Sequence, residues 1–444
     1  MSTVITRIPP SPTGHLHIGT VRTALFNYLY AKHAGGTFIF RSEDTDKTRS
    51  KKEFEDEIIE GLTWLGLSWD SFSRQSENAE RHKELIEKII SEGKAYISKE
   101  PAKDDPSRTV EVVRLKNPGK SITFADEVRG NITFDTTELG DFVIAKSIDE
   151  PLYHFAVVVD DADARVTHVI RGEDHISNTP RQILIQEALG FARPAYAHLP
   201  LILAPDRSKL SKRNGATSLM EYRKEGFLPA GLVNYLALLG WNPGGDREEF
   251  SLSELIEEFS LSGVQKSPAV WNRDKLLSVN QLWMRKLETE DFLAALGAPT
   301  NLDNEKLTNI VPLLKDRART FEEAREMLRG ELSTIFEAPK LDKSALLAKN
   351  PSERPNVAKT ALEVLLEALE ALPEGLSTDA IKEALMPYAD RNPKETGGRG
   401  AVLWPLRYAL SGKERSPDPF TLIAVLGKNE SVSRIHTALA ILSE

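Results

Sequence analysis

In the first part of the chain the apolar positions switch between two rhythms. Val4 to Ile8 is rich in β-formers and is broken by Pro9 to Gly14. Between Ile18 and His33, Val21, Leu25, Tyr28 and Leu29 recur at helical spacing, and Gly35-Gly36 ends the run. Thr37 to Arg41 reads as a second strand leading into Ser-Glu-Asp-Thr-Asp, and Glu53 to Leu65 and Ala79 to Gly93 read as amphipathic helices. Strand, turn, helix and strand in this order predict an α/β nucleotide-binding sheet.

From residue 94 to about 150 the pattern changes. Pro101, Pro106, Pro118, the glycines between 119 and 140, and alternating segments such as Ile132 to Phe134 predict a small inserted β-rich module. The α/β pattern then returns. Tyr153 to Val159 reads as a strand, Asp160-Asp161-x-Asp163 as an acidic turn, Val166 to Ile170 as another strand and Thr179 to Leu189 as a helix. Helices follow near Ser218 to Gly226 and Ala230 to Leu239, and from about residue 310 onward Leu, Ala, Glu and Arg dominate at helical spacing.

Composition narrows the class. At 444 residues the chain is too long for one compact domain. A net charge of −9 excludes a globally basic nucleic-acid binder, so contact with a polyanion has to use local positive patches. The absence of cysteine excludes disulfides, Cys-based zinc sites and thiol catalysis, and fits a reducing cytosol. Arg7, Pro9 and Pro10 stand where a signal peptide needs an apolar run, and the longest apolar stretch, Leu232 to Trp241, is too short to span a bilayer. A cytoplasmic protein without a membrane partner is expected.

Two strings carry chemistry. Pro-Ser-Pro-Thr-Gly-His-Leu-His-Ile-Gly-Thr, Pro10 to Thr20, falls on a strand-to-helix turn, where free N–H groups and the helix dipole favour a phosphate. Gly14 and Gly19 permit close backbone approach, and His17 stands where the helix begins. Lys-Leu-Ser-Lys-Arg, Lys209 to Arg213, lies in a polar loop whose lysines can meet charge growing on departing pyrophosphate. Alone, either string is a helix start or a solvated basic loop; the pair, in this order, is stronger evidence than either.

Together these strings resemble the two ATP-handling motifs of class I aminoacyl-tRNA synthetases, and the surrounding residues resemble the glutamyl branch. The likeness extends through Arg7 to Gly14, Arg22 to Asn27, Arg41 to Asp46, Tyr153 to Asp161, Val169 to Arg181, Trp271 to Leu277 and Leu403 to Gly412. Thr20 stands where the wider class has a second histidine, Leu210 where Met is usual, and Pro9 where many relatives have Ala. The resemblance implies an α/β fold class: a Rossmann-like catalytic domain split over 1–81 and 150–215, an inserted small α+β module at 82–149, a connecting helical region at 216–309, and an all-helical anticodon-binding region at 310–444. It implies catalytic roles for His17, Lys209 and Lys212. ATP contacts are implied for Gly14, His17, Gly19, Thr20, Lys209, Leu210, Ser211, Lys212 and Arg213.

The resemblance also places L-glutamate. Arg7 and Arg171 face carboxylates, Glu43 faces the α-ammonium, and Ser11, Tyr153 and His175 line the pocket. Guanidinium forks suit a doubly anionic amino acid, because Arg binds a carboxylate bidentately and a glutamine side chain leaves one fork without its anion. Each Arg taken singly fits a structural ion pair equally well, Arg7 with Glu43, or Arg171 with Glu173 or Asp174. The acidic clusters Glu43-Asp44-x-Asp46 and Asp160-Asp161-x-Asp163 read as turns and caps rather than metal ligands, so Mg2+ is expected to arrive with ATP, and no zinc is expected.

For tRNA(Glu), the family likeness makes the insertion the acceptor-end site and the helical region the anticodon site. Arg317, Arg319, Arg325, Arg399, Trp404 and Arg407 are the candidate contacts, with a core Trp and solvated arginines as the competing account. The family is usually monomeric. Open alternatives are an enzyme that also glutamylates tRNA(Gln) and a non-catalytic RNA-binding relative; residues 310–444 argue against a truncated relative that modifies a tRNA base.

Overall fold

The computed structural model describes residues 3–102, 105, 107–208, 210, 218–297, 302–347, 355–394 and 397–444. Two compact units emerge, Met1–Asn280 and Gln281–Glu444.

The first unit opens with β1 (Ile5–Ile8), α1 (Ile18–His33), β2 (Thr37–Ser42), α2 (Lys52–Trp64), β3 (Ser71–Arg74) and α3 (Ala79–Ser91). The strands β1, β2 and β3 run parallel, with Arg7 opposite Ile39 and Phe40 opposite Phe72. Ten of the 16 residues of α1 are buried, including Arg22 and Asn27, because the helix is covered on more than one side. Asn27 ties the layers together: its carbonyl accepts from Thr6 Oγ1 (2.8 Å), and its Nδ2 donates to the Ile170 carbonyl (3.0 Å).

After α3 come β4 (Ala95–Pro101), β5 (Thr109–Leu115), β6 (Ser121–Asp126), β7 (Gly130–Asp135), β8 (Phe142–Ser147) and β9 (Glu150–Pro151). Four of these form a sheet in the order β4-β5-β8-β9. The β6–β7 hairpin does something else. It joins the parallel strands that follow, giving the order β10-β11-β6-β7 with β10 at His168–Gly172 and β11 at Ala195–Leu199. Thr167 links the two parallel halves, donating from its N–H to the Ile5 carbonyl (3.0 Å) and accepting from Ile5 N–H on its hydroxyl (2.8 Å). Strand progression thus reverses between β1 and β10, the switch point at which doubly wound sheets open a crevice beyond their carboxyl ends.

One expectation fails here. Tyr153 to Asp163 is a helix, α4, rather than a strand and an acidic turn. A short continuous apolar run suits a buried strand and a buried helix equally, and packing decides between them. Phe155 to Val159 is buried throughout and shares one core with Leu85, Ile86 and Ile89 of α3, Phe124 of β6, and Ile183 to Ile185 of α5 (Thr179–Leu189). The predicted strand over Val166 to Ile170 is β10, beginning at His168. After β11 come β12 (Ile202–Leu203), α6 (Leu219–Lys224), α7 (Pro229–Leu238), α8 (Leu252–Glu258), β13 (Ala269–Val270) and α9 (Arg273–Lys286).

The second unit is helical among the described residues: α10 (Thr289–Leu296), α11 (Asn304–Arg317), α12 (Phe321–Arg329), α13 (Lys343–Leu347), α14 (Pro355–Glu370), α15 (Thr378–Asp390), α16 (Gly398–Ser411), α17 (Pro419–Leu426) and α18 (Lys428–Ser443). Asp303, Thr320, Ser377 and Asp418 each accept first-turn N–H groups, fixing four helix starts. Along α14, Ala358, Leu362, Leu365, Leu366 and Leu369 form one buried stripe at helical spacing.

Candidate active site

The carboxyl ends of β1, β2 and β10 deliver Arg7, Glu43 and Arg171 to the wall of one cleft of about 610 Å³. Ser11, His17, Gly19, Thr20, Tyr153, His175 and Leu210 line the same cleft. Gly14 stays outside its wall, in the turn before α1. Lys209, Ser211, Lys212 and Arg213 lie outside the described residues.

The α1 side suits a nucleotide. His17 occupies the N-cap position of a 16-residue helix and is exposed. Among the described residues a Cβ built on Gly19 would meet no atom beyond its own helix and neighbours within 4 Å, so that flank is open to a ligand's close approach.

Opposite, two buried guanidiniums converge. Arg7 Nε sits against Asp161 Oδ2 (3.1 Å), whereas Arg7 Nη1 is buried with no hydrogen-bond partner among the described residues. Arg171 is 6% exposed and makes its hydrogen bonds to neutral acceptors: Nε to His198 Nε2 (3.1 Å), Nη1 to Gln182 Oε1 (2.8 Å) and Nη2 to Thr179 Oγ1 (2.8 Å). Burial lowers its pKa, and neighbouring Arg7 pushes the same way. The pairings considered from sequence are not formed. Glu173 instead binds Arg129 and accepts from Leu201 N–H (2.7 Å), and Glu43 binds Arg41 Nη2 (3.2 Å). Burial raises the Glu43 carboxyl to about 7, with Arg41 only partly offsetting it.

Behind the pocket lies a charge network. Arg41 donates from Nη1 to Asp161 (2.8 Å) and stands 3.8 Å from Asp160. Asp160 also accepts from Gln75 (2.7 Å) and Asn78 (2.8 Å), and its Oδ1 meets buried His82 Nε2 (2.7 Å). The helical form of α4 makes this possible by turning Asp160 and Asp161 inward. Arg41, Asp160, His82, Asp126 and His198 have no motif of their own in a single sequence; of these only Arg41 and Asp160 lie inside segments that resemble the family, and without assigned roles.

Tyr153 OH is 3.4 Å from His175 Nδ1, which Asn178 also meets at 3.1 Å. Among the described residues no group of three or more His, Asp or Glu is arranged to hold a metal ion.

Residues 3–105 and 98–278 match the family described as tRNA synthetases class I (E and Q), catalytic domain, and residues 282–439 match an anticodon binding domain. The chain is 39% identical to the glutamate–tRNA ligase of Heliobacterium modesticaldum, over 99% of this chain and 97% of that one. It belongs to the glutamate–tRNA ligase family. The ligase of Aquifex aeolicus is 41% identical, with both chains covered completely. Among solved structures, a glutamate tRNA ligase from Elizabethkingia meningosepticum, in complex with its amino acid, superposes with a TM-score of 0.85 at 30% identity, covering 99% of this chain and 100% of that one.

In this family member the candidate tRNA contacts of the second unit are held locally. Arg317 pairs with Glu331 (2.8 Å), Arg319 with Glu323 (3.6 Å) and Arg325 with Glu322 (2.7 Å), while Arg399 pairs with Asp390. Arg407 lies over the Trp404 ring at 4.8 Å, and Trp404 Nε1 donates to the Ala345 carbonyl (2.8 Å). Trp404 is half-buried, between the base-stacking platform and the core residue weighed from sequence. Among the described residues no helix is long and apolar enough to cross a membrane.

Proposed function

We infer that this protein joins L-glutamate to the 3′ end of tRNA(Glu) at the expense of ATP, through a glutamyl-adenylate, releasing AMP and pyrophosphate. The observation that carries this reading is the pair of buried guanidiniums, Arg7 and Arg171, with donor capacity left over beside the carboxyl of Glu43. Such a pocket matches an amino acid with two carboxylates and one ammonium. An amide side chain would leave a buried cation without its anion, at a cost of several kcal/mol, on the order of the breaking of a buried pair.

The α-carboxylate of glutamate attacks the α-phosphorus of ATP, and the pyrophosphate oxygen leaves with the bonding pair. A ribose hydroxyl of the tRNA terminus then attacks the activated carbonyl, releasing AMP. The protein supplies position and charge complementarity rather than a nucleophile. His17 and the N–H groups near Gly19 hold phosphate oxygens, Lys209 and Lys212 meet the charge on pyrophosphate, and Ser11, Tyr153 and His175 complete the amino-acid wall. Mg2+ enters with the nucleotide. Residues 82–149 receive the acceptor end, 216–309 connect, and Arg399, Trp404 and Arg407 within 310–444 present a stacking surface to the anticodon.

Aminoacylation of purified tRNA(Glu) with Lys212→Ala and Arg171→Ala tests the assignment. Lys212→Ala should chiefly slow adenylate formation, and Arg171→Ala should chiefly raise the KM for glutamate. Kinetics like the natural protein's in both variants would refute the site.

A further inference from the structure

The last residue of β6, Asp126, has a completely enclosed side chain. Its Oδ1 accepts from the N–H groups of Val128 (3.0 Å) and Arg129 (2.8 Å), and its Oδ2 lies 2.6 Å from His198 Nδ1. A carboxylate at this distance accepts, so Nδ1 carries the imidazole proton and Nε2 presents its lone pair. That lone pair takes the Nε–H of Arg171 at 3.1 Å. Burial keeps the imidazole below its ordinary pKa, consistent with a neutral ring between the two charges. His198 itself is fixed by stacking on Tyr196, with ring centroids 6.2 Å apart and planes 10° from parallel.

We propose that Asp126 of the insertion, acting through His198, positions Arg171 for a substrate carboxylate and keeps it free of an ionic partner. This rests on the reading of Arg171 as a glutamate-binding residue. A carboxylate placed directly on Arg171 would compete with the amino acid for the same fork. The interposed imidazole transmits orientation without neutralising the guanidinium, so the anion it lacks is the one the substrate brings. The insertion would thereby support the amino-acid pocket from behind Arg171 without lining the cleft itself.

Asp126→Asn separates this role from folding. The amide oxygen can keep the N–H bonds of Val128, Arg129 and His198, the last at 3.3 Å, while the amide nitrogen faces Nδ1 and favours the other tautomer, setting Nε2–H against Arg171 Nε–H. The KM for glutamate in aminoacylation should rise about tenfold or more, with the KM for ATP little changed. His198→Gln in the Asp126→Asn background restores an acceptor to Arg171 and should recover most of that loss. If Asp126→Asn fails to fold, His198→Phe keeps the ring but removes the acceptor, and should raise the glutamate KM alone. An unchanged glutamate KM in the folded variants overturns the proposal, as does a loss spread evenly over glutamate, ATP and thermal stability without rescue. Arg171→Ala run in parallel separates the two levels: an unchanged glutamate KM there overturns both readings, whereas a raised one beside a normal Asp126→Asn overturns only this inference.

Discussion

Arg41 Nη2 stands 3.2 Å from Glu43 Oε1 at the carboxyl end of β2, with both side chains buried. Even with this partner, burial holds the Glu43 carboxyl at about 7 against an ordinary 4.5. The ion pair is incomplete compensation, because Arg41 is shared with Asp161. On the proposed assignment, the ammonium of glutamate would supply the missing positive charge.

Glutamate capture should therefore depend on pH. Below about 7 the Glu43 carboxyl is increasingly neutral, and on the proposed assignment it would lose its charge attraction for the ammonium. The kcat/KM for glutamate should fall toward about tenfold per pH unit on the acid side of that value. Glu43→Gln should be slower throughout and lack this inflection. A pH profile of aminoacylation under saturating ATP and tRNA reads the difference.

The same carboxyl should tax stability in alkaline solution. Its folded pKa is raised above the unfolded value, so its contribution is complete below about 4.5 and is lost as pH rises through about 7. Relative to the natural protein, Glu43→Gln should gain about 1–3 kcal/mol near pH 8 and little near pH 5. Urea denaturation at the two pH values checks this, and an equal difference at both would contradict it.

Asp161 should be structurally expensive to lose. It accepts from Arg7 Nε and Arg41 Nη1, at 3.1 and 2.8 Å, so Asp161→Ala leaves the buried Arg7 guanidinium without a carboxylate, while Arg41 keeps Glu43 and Asp160. A destabilisation of about 3–5 kcal/mol is expected. Asp161→Asn, which keeps an acceptor, should lose less. Thermal or chemical unfolding measures both.

Gly19→Val separates folding from nucleotide binding. Among the described residues a Cβ added at Gly19 meets no atom beyond its own helix and neighbours within 4 Å, so stability should change by no more than about 0.5 kcal/mol. The added branch projects toward the cleft, and the KM for ATP in pyrophosphate exchange should rise about tenfold or more.

Much of this was legible from residue patterns. The helix over Ile18–His33 and the helix over Thr179–Leu189 follow from apolar spacing bounded by glycine, with Gly35-Gly36 after one and Gly190 after the other. Arg7, Glu43 and Arg171 were recognisable as one pocket because they lie at strand ends within matched segments. Val157-Val158-Val159 misled, since β-branching favours a strand locally while the surrounding core selects a helix. Asp126 and His198 escaped notice for a different reason. They are 72 residues apart, and only the pairing of β6 with β11 brings them together.

That pairing has a consequence for anyone trimming the molecule. Excising the insertion would strip β11 of its neighbour at Asp126 and bare one margin of the catalytic sheet. A shortened product joined across the gap would be sticky before it was inactive. A workable minimal version has to retain Ser121 through Asp135 as a seal along that margin.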